Sequence, residues 1–412
     1  MNSIEATKSK ISLLIFLILT IVSLPNAEAP KNIFFLAFLI SWFIFSFQNK
    51  DWGGSWEFID TIFALWIILA ILVGLNAVLV HAQPFKGSFD LIRYLAFGWI
   101  ISRVYIENDF LKKIVVITSI SILPIFYIFI DKQDLLPENI ELNSVGHVNH
   151  TAIYLILVLS VTIPYLTENF FNIKKYQKVY FIIFNTLISS IIVYTNSRAA
   201  SVLLVFIFSV SFFMIFLRIN LKQRILVLSL LSLFLALVIT NPPSVVKKFI
   251  YYYSLEEEST RSKINNFSYE LFKISPVFGT GMSNFPNFDL SHIREAVVKQ
   301  HNDNWWQNNK DSFMPYKHPH SIYYALLTGG GIVLLSIFLI FWIYIFVNLT
   351  KNLSSKKFNW IDIAVLNIST SILVIGFVNT TFSHENAMLS LLFIGIYINF
   401  IRRDSKSILG SD

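Results

Sequence analysis

Apolar runs of membrane-spanning length alternate with short polar breaks along most of the chain. They lie near residues 11–26, 32–47, 58–80, 88–106, 113–131, 150–167, 179–195, 199–217, 224–240, 321–347, 359–380 and 386–401. A bilayer core is crossed by about 20 apolar residues in an α-helix, so the pattern predicts an all-α polytopic membrane protein of about twelve transmembrane helices. One polar segment is long, residues 241–320, between the ninth and tenth runs. Irregular backbone cannot face lipid, because unpaired N–H and C=O groups are too costly there, so this segment belongs in water or on the membrane surface. The chain therefore divides into nine helices over 1–240, a partly helical loop over 241–320, and three helices with a cytoplasmic tail over 321–412.

With 55% hydrophobic and 14% charged residues, the chain holds more apolar surface than one soluble core can hide. It contains no cysteine, which excludes disulfides, thiol nucleophiles and thiolate metal sites. A net charge of +7 would suit nucleic acid, but the basic residues cluster in short loops instead. Lys8/Lys10, Lys112/Lys113, Lys174/Lys175/Lys178, Arg218/Lys222/Arg224, Lys351/Lys356/Lys357 and Arg402/Arg403 all fall on one side, which the positive-inside rule makes cytoplasmic along with both termini. The opposite loops carry isolated residues such as Lys31, Lys86 and Lys132. The first run follows Lys8 and Lys10 as in a signal peptide, yet no convincing cleavage site lies near Asn26-Ala27-Glu28-Ala29 and the next run follows at once, so it reads as a helix. On this topology the outer face receives the loop 132–149, the turn 194–199, the long polar segment and the turn 379–386.

Within the long segment, Ser259-Thr260 and Pro276 bracket a helix over about 261–274. Ile264, Phe267, Leu271, Phe272 and Ile274 share one face, and Lys263, Asn266, Glu270 and Lys273 the other, as in a helix lying on a membrane. Arg261 falls on the apolar side near the N-terminus, where the helix dipole disfavours a cation; it either precedes the true first turn and reaches water or holds an anion. Arg198 opens the run at 199–217, where it is either a snorkelling interfacial residue or, with the helix N-terminus beside it, a phosphate ligand. His318 and His320 flank Pro319 and point the same way in an extended segment. Three readings stay open for them: a metal pair, ordinary interfacial histidines, or a His320 kept neutral by the following helix and able to accept a proton. Asp289, Glu295, Asp303 and Asp311 show no ligand spacing around them, so no metal is assigned. Gly329-Gly330-Gly331 suits close packing, Trp305-Trp306 suits either an interfacial anchor or a sugar platform, and Gly146-His147-Val148-Asn149-His150 suits a capped helix start or a donor-sugar contact through Asn149 and His150. His292, His301 and His384 have no evident partner, and Arg93 and Arg103 sit at the ends of the fourth run or facing the bundle.

In this order and on this common face, Gly146-His147-Val148-Asn149-His150, Asn196-Ser197-Arg198-Ala199-Ala200, Arg261 followed by Pro276-Val277-Phe278-Gly279-Thr280-Gly281, and His318-Pro319-His320-Ser321-Ile322-Tyr323 resemble the O-antigen ligase superfamily. That superfamily also holds O-antigen polymerases and bacterial O-oligosaccharyltransferases. The resemblance implies a metal-independent glycosyltransferase without a cofactor in the bacterial inner membrane, its active site periplasmic. The implied donor is an undecaprenyl-diphosphate-linked glycan and the implied acceptor, for a ligase, is lipid A-core. Arg198 and Arg261 would hold the diphosphate and His320 would take the acceptor's proton, with His318 beside it. The family pattern has Asn after this histidine where the chain has Ser321, which bears on how the imidazole is oriented. A polymerase or protein-glycosylating enzyme would share donor and site and differ in acceptor. A lipid-linked glycan transporter is the reading from a different class; it would show internal repeats or paired broken helices with midplane charges, which the sequence does not display.

Overall fold

The computed structural model describes residues 3–131, 140–218, 257–354 and 358–409. Among these the fold is all-helical; the one extended pairing is an isolated bridge between Leu142 and Gly146. Among the described residues nine helices precede the polar segment: α1 (Ser3–Ser23), α2 (Glu28–Asn49), α3 (Phe58–His81), α4 (Lys86–Arg103), α5 (Asn108–Ser121), α6 (Pro124–Asp131), α7 (Val148–Asn169), α8 (Lys175–Tyr194) and α9 (Arg198–Arg218). The polar segment holds α10 (Glu257–Ile274), α11 (Leu290–His301) and α12 (Asp303–Asn309), and the chain ends in α13 (Ile322–Ser354), α14 (Trp360–Ile375) and α15 (His384–Leu409). Seven helices among the described residues are long and apolar enough to cross a membrane, counting α5 and α6 together, and three shorter apolar ones lie at Ser9–Ser23, Arg198–Phe213 and Trp360–Ile375. The run predicted at 224–240 lies outside the described residues. The run predicted as one helix over 113–131 is broken at Ile122-Leu123, because Pro124 lacks an N–H and disfavours helical backbone in the residue before it.

Burial identifies the centre of the bundle. From Thr151 to Tyr165 every residue of α7 is buried, and α7 packs against α5, α8, α9, α14 and α15. A helix apolar on all sides needs neighbours on all sides, and α7 has them. In α15 the stretch Glu385–Ile398 is likewise buried, and α15 packs along α4, where Gly98 and Gly395 allow the close approach. A Cβ on Gly395 would lie 2.8 Å from the Gly98 carbonyl oxygen.

Buried ion pairs tie the two ends of this bundle. At one end Lys31, at the start of α2, is buried between Glu28 and Glu385, with the Ser144 hydroxyl donating to Glu385 at 2.9 Å. The sequence places Lys31 as an isolated loop residue; in the structure it joins α2 to the first turn of α15. At the other end Asp60 of α3 accepts from Arg103 of α4, Arg402 of α15 and the Trp99 indole.

The polar segment does not lie as an amphipathic helix on a surface. The helix expected over 261–274 begins four residues earlier, and its apolar face is covered by protein: Ile264, Phe267 and Leu271 join Phe285, Phe288, Ile293, Val297, Trp306 and Phe313 in a second, separate core. Ile274, expected on the same face, is exposed because the chain turns away at Pro276. Trp306 stacks on Phe313 inside this core and Trp305 stacks on His301, so neither is an open sugar platform.

Candidate functional site

Two glycine-bearing stretches fix the polar segment to the bundle. Helix α13 is interrupted at Gly331, whose φ of 63° and ψ of −165° are open essentially to glycine alone. A break inside a membrane helix strands carbonyls and amides that need other partners. Residues 276–281 supply them: the amides of Thr280 and Gly281 donate to the carbonyls of Thr328 and Gly329, while the freed amides of Ile332 and Val333 donate to the carbonyls of Pro276 and Val277. Gly279, at φ 64°, sits where a Cβ would lie 2.5 Å from the Gly329 carbonyl carbon. The Asn76 side chain of α3 donates to the Gly279 carbonyl at 3.0 Å and adds a third element. The glycine triplet is thus a helix break sewn to a loop, and its role is more specific than the close helix packing the sequence suggests.

This junction brings α10 alongside α13. The returning segment is bonded to α10, with the Met314 amide donating to the Lys263 carbonyl and the Asn266 side chain donating to the Ser312 carbonyl, both at 3.1 Å. At its far end the Ile322 amide and Ser321 hydroxyl both donate to the Gly376 carbonyl at the end of α14. Ser321 thus anchors backbone here, and His320 takes a left-handed φ of 54° that turns its ring out of the helix line. The consequence is a cluster. The rings of His318 and His320 lie 4.0 Å apart, Tyr316 lies 5.0 Å from His320, and His150 of α7 lies 6.3 Å from His318 and 6.4 Å from His147.

Arg261 is exposed in the second turn of α10, past the first turn where the dipole penalty would fall, and its charge reaches His320. Burial first, then His318, Arg261, His147 and His150, hold the His320 imidazole down to about 4. The same burial, with His147 and Lys317, lowers His318. Both rings are therefore neutral at neutral pH and present a free nitrogen lone pair. The cause differs from the helix dipole that the sequence suggests: it is desolvation inside a group of like-charged neighbours. The buried Nδ1 of His318 has no hydrogen-bond partner among the described residues. Also among the described residues, no three His, Asp or Glu side chains are placed to hold a metal ion.

The remaining candidates fall as follows. His147 caps α7, its Nδ1 accepting from the Asn149 amide at 3.2 Å, so the capped helix start is real and it presents His150 to the cluster. Arg198 is the half-buried first residue of α9. Because α8 packs back along α7 after the short turn 170–174, Arg198 lies at the same end of the bundle as His147. His384 meets the Tyr94 hydroxyl at 3.3 Å, and His292 pairs with Asp289 at 2.8 Å away from the cluster. Tyr316 and His147 are site neighbours not assigned from sequence. The alternation 316, 318, 320 placed Tyr316 on the same face of an extended strand and was the available signal.

Residues 183–339 match the family model described as O-antigen ligase. No curated protein matches the chain. The matched segment runs from α8 through the break in α13 and contains Arg198, Arg261, His318 and His320. Over this part the chain is similar to the O-antigen ligase family, whose members are glycosyltransferase-like enzymes.

Proposed function

We propose that the chain is an O-antigen ligase of the bacterial inner membrane, with about twelve spans and a periplasmic site. It moves a preassembled glycan from undecaprenyl diphosphate to a hydroxyl of lipid A-core. The observation that carries this reading is the pair of imidazoles of His318 and His320, 4.0 Å apart and within electrostatic reach of Arg261, inside the segment that matches O-antigen ligase.

The chemistry needs little beyond those groups. The acceptor oxygen attacks the anomeric carbon, the bond from that carbon to the diphosphate oxygen breaks, and the acceptor proton passes to a free ring nitrogen of His320. Arg261, and Arg198 from the head of α9, receive the charge that builds on the departing diphosphate; a guanidinium holds two phosphate oxygens at once. Fixed charges in a water-poor site stabilise such a transition state without a divalent ion. His320 is suited to its part in a particular way. The same neighbours that keep it unprotonated in the free protein are cations or potential cations, and a bound diphosphate opposes them, raising its basicity when the donor is in place. His150 within the cluster, and Asn149 beside the His147 cap, contact the donor sugar.

Purified protein given undecaprenyl-diphosphate glycan and lipid A-core in the presence of EDTA should transfer the glycan once and release undecaprenyl diphosphate. Arg261→Ala should abolish transfer, and Arg261→Lys should restore little, because a point charge does not reproduce the two-pronged contact. Growth of the lipid-linked glycan without core acceptor would make the protein a polymerase, and an intact donor in a folded preparation would reject the enzyme class.

A further inference from the structure

A second built site lies at the end of the bundle opposite the histidines. The first turn of α4 abuts the 276–284 loop, where a Cβ on Gly87 would fall 2.0 Å from the Met282 carbonyl oxygen. At its other end, roughly 24 Å away, α4 stops at Arg103. There a cavity of about 220 Å³ opens between α1, α2, α4 and α15, walled by Lys10, Ser46, Arg103, Asn399, Arg402 and Arg403.

Residues of its wall carry buried polar atoms that have no hydrogen-bond partner among the described residues. Arg402 is 5% exposed and gives one Nη2 to Asp60 at 2.7 Å, but its Nε and Nη1 are buried without a hydrogen-bond partner among the described residues. A Glu57 carboxylate oxygen lies 3.8 Å from Nε, beyond hydrogen-bond reach. The Ser46 hydroxyl and the Asn399 Oδ1 are buried and unpartnered in the same way. Arg403 lends one Nη2 to the Ile106 carbonyl and lies over the Tyr105 ring at 4.2 Å. The facing acids are otherwise occupied: Asp60 is shared by Arg103 and Arg402, Asp51 accepts from the Gly53 amide, and Glu107 pairs with Lys10. Two buried guanidinium donors of Arg402, with the Ser46 hydroxyl in the same cavity lining, call for an oxygen-rich anion.

We propose that this cavity binds the phosphate of an anionic lipid headgroup. Phosphate chemistry follows from the stranded donors; the lipid source follows from the surroundings. Trp42 and Tyr105 line the cavity, Trp56 and Trp99 flank Arg103, and Trp52 and Trp56 are exposed, as aromatic residues are at headgroup depth. Ile11 and Ile15, exposed on α1 beside the cavity, offer an apolar flank for the acyl chains. Basic pockets between membrane helices hold acidic headgroups by this combination.

The full chain in dodecyl maltoside, mixed with dioleoyl phosphatidylglycerol or dioleoyl phosphatidylcholine, is read by native mass spectrometry for retained lipid. The anionic lipid should be retained about tenfold over the zwitterionic one, whose choline cancels the charge. Arg402→Gln should bring that ratio near one. Because that change also loosens Asp60, Ser46→Val is the second variant: it fills the cavity, leaves every ion pair intact, and should also erase the preference. Inorganic phosphate at millimolar concentration is the competing arm. Failure to displace the lipid assigns the headgroup, whereas displacement assigns a soluble phosphate to the same donors, and each supports the phosphate site. Equal retention of the two lipids with no effect of phosphate, or an undiminished preference in Ser46→Val, would overturn it.

Discussion

Gly331→Ala is the substitution through which the junction of α13 with residues 276–281 is best tested. Alanine at φ 63°, ψ −165° costs about 1–3 kcal/mol in backbone strain alone. Its Cβ would also lie 2.2 Å from the Val277 carbonyl oxygen, a backbone atom that cannot rotate aside, so the loop must leave. With it go the four backbone hydrogen bonds that sew 276–281 to 328–333, each worth about 1 kcal/mol net. The total is of order 5 kcal/mol, and at roughly 2 °C per kcal/mol for a large chain this lowers Tm by about 10 °C. Gly146→Ala is the internal control. Its φ is +71° but nothing lies within 4 Å of the added Cβ, so only the left-handed penalty of about 1–2 kcal/mol remains. Tryptophan fluorescence melting of both variants in detergent, alongside glycan transfer, reads the difference. A Gly331→Ala protein melting within about 2 °C of wild type, or a Gly146→Ala protein equally damaged, would refute the reasoning.

His320→Ala should lower glycan transfer by about 10²–10⁴-fold at normal abundance, and His318→Ala by less; loss in His318→Ala with activity kept in His320→Ala would transfer the base to His318. With His320 held down to about 4, the acid limb of kcat/KM should fall near pH 4 and not near 6.5, since the base must be neutral; folding favours that neutral ring, so the stability it contributes above about pH 6.5 is lost as pH falls toward 4. A limb near 6.5 in the pH–rate profile would contradict the buried environment. Lys31→Met strands the buried carboxylate of Glu385 and should cost about 3–5 kcal/mol in denaturant melts, with the double change Lys31→Met/Glu385→Gln recovering much of it; no recovery would mean that the pair is not the source. Single cysteines at Asn302 and Lys310 in this cysteine-free chain should react with an impermeant thiol reagent in cells with a permeabilised outer membrane, and one at Ser354 should not; the reverse pattern would place His320 in the cytoplasm.

The helices were legible because lipid imposes a length and a polarity on each, independent of its neighbours. The same one-body signal hid the break at Ile122-Leu123, where Pro124 sits in an apolar run that reads as continuous. Pair interactions were not legible. Lys31 meets Glu385 across 354 residues and Arg402 meets Asp60 across 342, so each reads alone as a loop cation or a helix-end charge. The apolar face of α10 was seen correctly at Ile264, Phe267 and Leu271 and assigned the wrong cover, because Phe285, Phe288, Ile293, Val297, Trp306 and Phe313 lie further along the chain, dispersed among polar residues. At the site, the order of the motifs pointed to His320 and Arg261. The imidazole group around them required the left-handed turn at His320 and the cap at His147, which follow from how the segment is anchored at Gly376 and Thr151, whose hydroxyl accepts from Leu142 and donates to Gly146.

The sewn break in α13 also sets an order of assembly. Every residue of the second core, from Ile264 to Phe313, leaves the ribosome before Gly331 does. That core can therefore collapse first, with Thr280 and Gly281 still holding idle amides. When α13 arrives it cannot enter the bilayer as a finished rod, because the carbonyls of Thr328 and Gly329 and the amides of Ile332 and Val333 are answered only by a loop already made. Insertion of the tenth run and docking of the finished polar segment are consequently one event, and a chain from which residues 276–281 are deleted would leave α13 to straighten into an ordinary span.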